Sequence, residues 1–72
     1  MSISIAIKEA VRETANHAGD ASGSADRARW AVDHGDLEMA EEALSWTVDQ
    51  AEKALRHARK AWDVVKLEGG AA

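Results

Sequence analysis

The chain contains no cysteine, proline, phenylalanine or tyrosine in its 72 residues. Without cysteine, neither a disulfide nor a thiolate metal site can form, so the staple that holds many short secreted domains together is excluded. Without proline, nothing rigidly interrupts a helix. Nowhere do 18 apolar residues follow one another, and the opening MSISIAIKEA has neither a basic segment nor a long apolar run. Neither a membrane span nor a signal peptide is therefore expected, and the expected setting is cytoplasmic.

What the chain has in quantity is alanine, which supplies 16 of the residues behind its 46% hydrophobic content. Alanine is the best helix former and buries little surface, so the composition favours long, closely approaching helices over a thick core. At this length one domain is expected, with only a few kcal/mol of net stability from its own core. The net charge of −4 speaks against general affinity for nucleic acid or anionic membrane and favours solubility and basic partners.

The periodicity predicts an all-α fold of three helices, two shorter ones packed on a long C-terminal one, forming a helical bundle on dimerisation. In the first helix, about 4–18, Ile3, Ile7, Ala10, Val11, Thr14 and Ala18 recur at steps of three and four, and Gly19 can serve as a left-handed C-cap. The segment SISIAI also alternates as a half-buried strand does, so residues 3–7 stand open between strand and helix. Two glycines and two serines in 19–24 predict a turn, with Asp20, Ser22 or Ser24 capping a second helix over about 22–34 whose small apolar face is Ala25, Ala28 and Val32. Gly35 ends that helix and Asp36 caps the third, about 36–67. Its main stripe is heptad-like: Leu37, Leu44, Ala51, Ala58 and Val65, then Ala40, Thr47, Ala54 and Ala61, with Val48, Leu55 and Trp62 alongside. Residues 1–68 form the single domain and 69–72 a disordered tail.

A second, weaker stripe on the long helix comprises Met39, Ala43, Trp46, Gln50, His57 and Val64, with Trp30 of the second helix nearby. A 72-residue chain cannot surround its longest helix with its own atoms, so these residues are the expected interface for another polypeptide. Charge suggests a second copy. Residues 36–52 carry Asp36, Glu38, Glu41, Glu42, Asp49 and Glu52 and no base, whereas 53–66 carry Lys53, Arg56, Arg59, Lys60 and Lys66 and only Asp63. Antiparallel copies would pair acid with base in a two-fold homodimer. The same polarity also complements the helix dipole with no partner at all.

Catalytic and cofactor chemistry finds little foothold. There is no cysteine nucleophile, Ser22 and Ser24 lie in the predicted turn, and no glycine-rich loop follows a strand. His17, His34 and His57 fall one per helix and can converge in space. Glu13 with His17, and His34 with Glu38, have ligand-pair spacing, but HExxH and Glu-x-x-His are absent and a histidine near a helix end is also a dipole partner. No enzyme activity, cofactor or metal is expected.

Three resemblances bear on function. SISIAI, KEAVRETANHAG and SGSADRARWA resemble the ribbon, first helix and second-helix start of a ribbon-helix-helix regulator, which implies DNA binding. The outward ribbon positions Ser2, Ser4 and Ala6 offer nothing to read bases, and the basic run Lys53 to Lys66 is the other element able to touch phosphate. HGDLEMAEEAL resembles the inter-helix turn of a tetratricopeptide hairpin, which implies a helical hairpin without a peptide-binding array. In composition the chain is similar to the compact acidic helical inhibitors, anti-CRISPR proteins among them, that mobile elements direct at host complexes. The leading expectation is a non-enzymatic protein-binding module, a homodimeric helical adaptor or regulator.

Overall fold

A single residue, Gly35, has a positive φ, 76°, among the described residues, and the chain reverses there. The structure is a computed structural model that describes residues 5–69. It contains two helices, α1 (Ile5–Asp33) and α2 (Leu37–Gly69), packed side by side as an antiparallel hairpin. The reversal is a Schellman cap: the Asp36 N–H donates to the Ala31 carbonyl at 2.8 Å, and the Gly35 N–H to that of Val32 at 3.0 Å. Asp36 then caps α2, its carboxylate accepting the Met39 N–H at 3.0 Å, while Glu38 in the first turn complements the helix dipole. The glycine stop and aspartate start read from the sequence are both present.

The turn expected at 19–24, and with it the third helix, is replaced by uninterrupted helix. Gly19 and Gly23 sit inside α1, and a glycine costs a helix only about 1 kcal/mol relative to alanine. Breaking α1 there would also remove Ala21 and Ser24 from contact with α2. Residues 5–7 are helical, which answers the strand alternative for that part of it. Gly69, the first residue of the expected tail, belongs to α2, while the remainder of the expected ribbon and residues 70–72 lie outside the described residues.

The seam follows from spacing. On α1 the covered positions include Ile7, Ala10, Thr14, His17, Ala21, Ser24, Ala28 and Ala31; on α2 they include Ala40, Ala43, Thr47, Gln50, Ala54, His57, Ala61 and Val64. Both series step alternately by three and four, as an antiparallel coiled coil requires. The hydroxyls of Ser24 and Thr47 lie 2.7 Å apart and set the register. Carried outward by heptads, that register places Ala28 against Ala43, Ala31 against Ala40, and Ile7 against Val64. Among the described residues no large side chain is fully buried. The hairpin measures 54 × 15 × 14 Å, and no described helix is long and apolar enough to cross a membrane.

Apart from the helix's own backbone and the adjoining residues, nothing lies within 4 Å of where a Cβ would stand on Gly19 or Gly23. Gly19→Ala and Gly23→Ala should therefore each stabilise the chain by about 0.5–1 kcal/mol in urea unfolding, whereas Gly35→Ala should destabilise it by roughly 1–2 kcal/mol. A turn at residues 19–24 would reverse the sign for the first two.

Candidate functional site

Position in the heptad decides which surface each side chain joins. Of the residues one place after seam positions, Leu44, Val48, Ala51, Leu55, Ala58, Trp62 and Val65 on α2 and Val11, Ala15, Ala18, Ala25 and Val32 on α1 form an apolar stripe, interrupted by Glu41 on α2 and by Lys8, Ser22 and Arg29 on α1. Because the helices run antiparallel, both stripes turn to the same side of the hairpin. All of these residues are exposed except the half-buried Ala58; Leu44 and Leu55 each keep 50% of their surface and Trp62 keeps 64%. Leu37 extends the stripe at the turn end, and the Lys66 ammonium sits 4.6 Å from the Trp62 ring centroid at the other. The result is one broad apolar face along the length of the molecule.

The sequence expectation placed these two stripes the other way round. Ala40, Thr47, Ala54 and Ala61 of the main stripe do meet α1, but its leucines, valines and Trp62 face outward. Of the residues expected to await another polypeptide, Ala43 and Gln50 are buried against α1, and His57 and Val64 are half-buried there. Two heptads one position apart compete for the seam. The one richer in alanine lies inside because small side chains let the two backbones approach closely.

Trp30, Met39 and Trp46, one place before seam positions, lie on the opposite side from the apolar face. With Arg27 and Glu42 they line an open cleft of about 660 Å³ near the turn. Trp46 is 55% exposed and Trp30 51%. Trp30 also stacks on His34, ring centroids 4.1 Å apart, while the His34 Nδ1–H donates to the Trp30 carbonyl at 2.8 Å. His34 is thereby tied to the end of α1, the role open to a histidine near a helix C-terminus.

The middle of the seam is polar. Gln50, only 3% exposed, accepts the His17 Nδ1–H on its Oε1 at 2.7 Å and donates from Nε2 to the Asp49 carboxylate at 3.5 Å. The other His17 nitrogen faces Glu13, 3.5 Å from Oε2. His57 stacks on His17 with ring centroids 5.4 Å apart and planes inclined by 10°. One donor atom each from Glu13, His17 and His57 lies within 4.8 Å of the others. The Glu13–His17 spacing was visible in the sequence, but adding His57 requires the hairpin register.

The charged residues expected to pair between copies are mostly exposed: Glu41, Glu42, Glu52, Arg56, Arg59 and Lys60. Lys53 and Asp49 pair within α2 at 3.3 Å, a partly exposed contact of small net worth. Comparison with family models, curated proteins and solved structures gives no match.

Replacing Gln50 with leucine should cost about 1–3 kcal/mol, because the half-buried His17 N–H then has no acceptor. Thr47→Val should cost less, since the Ser24 hydroxyl still has the Ala21 carbonyl at 3.1 Å. Urea midpoints at constant m-value distinguish the two.

Proposed function

We propose that the chain is a non-enzymatic, protein-binding module that works as a homodimeric helical adaptor, two hairpins packing through their apolar faces into a four-helix bundle. The observation that carries this reading is the row of half-exposed leucines, valines and Trp62 on a hairpin whose seam is largely alanine. Such a seam contributes little hydrophobic stabilisation, and a core of this size ordinarily needs a staple or a partner. A face 54 Å long and 15 Å wide offers on the order of 800 Å², the area each partner buries in a standard interface.

Charge favours a second copy, placed antiparallel. On the flank of the apolar face the turn half of α2 carries Glu38, Glu41 and Glu52 and the open half Arg59 and Lys66, whereas Glu42, Asp49, Lys53, Arg56 and Lys60 precede seam positions and lie on the cleft side. A two-fold axis across the hairpin sets each half against its opposite. Alternating the heptad layers of the two α2 stripes then brings Leu44 to Leu55 of the partner subunit, Val48 to the partner subunit's Ala51, and Leu37 to the partner subunit's Trp62. The Trp30–Trp46 cleft lies on the other side, open to a different protein. The two indoles and Met39 are the residue types that anchor protein interfaces. The inhibitor reading uses this same surface without the dimer.

Light scattering or sedimentation at micromolar concentration should give twice the chain mass. Leu44→Glu with Leu55→Glu should return the mass of one chain and lower the melting temperature, whereas Trp46→Ala should leave the mass doubled. A wild-type protein that runs as a single chain across this range would remove the homodimer.

A further inference from the structure

We infer that Glu13, His17 and His57 form a binding site for a divalent metal ion of the zinc class, built within one hairpin. Imidazole nitrogen and carboxylate oxygen are the donors that Zn²⁺ and its neighbours in the first transition row accept, and three protein ligands leave a position for water or a fourth ligand. Two of the three donors are already set. A tetrahedral ion with bonds near 2.0–2.1 Å requires its donors to be about 3.3 Å apart, and His17 Nε2 stands 3.5 Å from Glu13 Oε2. With every donor inside 4.8 Å of the others, a modest turn of the His57 ring out of its stack closes the triangle.

Gln50 is the second, independent observation. Its buried amide oxygen accepts the His17 Nδ1–H at 2.7 Å, which fixes the ring orientation and directs Nε2 toward the Glu13 carboxylate. Holding a ligand histidine by its other nitrogen is what the surroundings of a metal centre normally do. Since Gln50 touches no donor position itself, it is a positioning residue. Glu13 precedes a seam position, so the site opens on the side away from the Leu44–Trp62 face and does not depend on dimerisation.

The test is titration of the chelator-treated full chain with Zn²⁺ by calorimetry, and with Co²⁺ by its visible ligand-field absorption. The expected result is one ion per chain, a tetrahedral Co²⁺ spectrum, and a melting temperature raised by Zn²⁺. Glu13→Ala lies on a partly exposed helical position where alanine favours the fold, and it should weaken binding at least tenfold. His57→Ala should abolish the Co²⁺ spectrum with far-UV dichroism unchanged. Gln50→Leu should weaken binding roughly 10-fold or more, and His34→Ala should leave it unaltered. The proposal is overturned by the absence of Co²⁺ absorption at millimolar metal, by full affinity in the Glu13→Ala and His57→Ala proteins, or by loss of binding in His34→Ala.

Discussion

The register between the two helices is the constraint on which every other feature depends. An alanine seam lets backbones approach closely but says little about how far one helix should slide along the other, because each alanine presents much the same surface as the next. A slip by one heptad would keep many alanine contacts. It would not keep the Ser24–Thr47 hydrogen bond or the acceptor for His17 on Gln50. Stranding the His17 N–H in a partly desolvated seam carries a penalty that a neutral slip does not, while the Ser24 and Thr47 hydroxyls keep backbone acceptors on Ala21 and Ala43. Polar layers that fix the alignment of otherwise interchangeable apolar layers are well attested in coiled coils.

The same alignment creates the surfaces. It gathers the outward stripes of α1 and α2 on one side and the two exposed indoles near the turn on the other. It also brings His57 to His17, although 39 residues, 18–56, lie between them in the chain. A single arrangement thus supplies an apolar face, a tryptophan-lined cleft and a cluster of donor atoms, each reached from a different direction.

Much of this was legible in residue order. Gly35 followed by Asp36 announced a stop and a start, and the row Ala40, Thr47, Ala54 and Ala61 was read on its true side, but the row paired with it inside is Ala43, Gln50, His57 and Val64 in place of the expected Leu44, Ala51, Ala58 and Val65. Gly19, Ser22, Gly23 and Ser24 misled because their local preference is for a turn, while the contacts of Ala21 and Ser24 across the seam continue the helix. The choice between the two α2 stripes could not be made from hydrophobicity, which favours burying the leucines. Close approach through alanine decided it, and that preference becomes visible only when both helices are considered together. Glu13 and His17 declared themselves by spacing, whereas the role of Gln50 had no local signal beyond a polar side chain on an apolar row.

The two α2 heptads differ by a single position, and the connection that holds the seam in place is only His34, Gly35 and Asp36. One residue fewer between the reversal and the first seam position would turn α2 by about 100° and shift it by about 1.5 Å, bringing the residue after each seam position to the place now held by the seam. The leucine row would then swing inward against α1, and the histidine–glutamine layer would be expelled toward solvent. This short reversal is consequently a selector between two interiors encoded in the same helix, and its length determines which of them the molecule conceals.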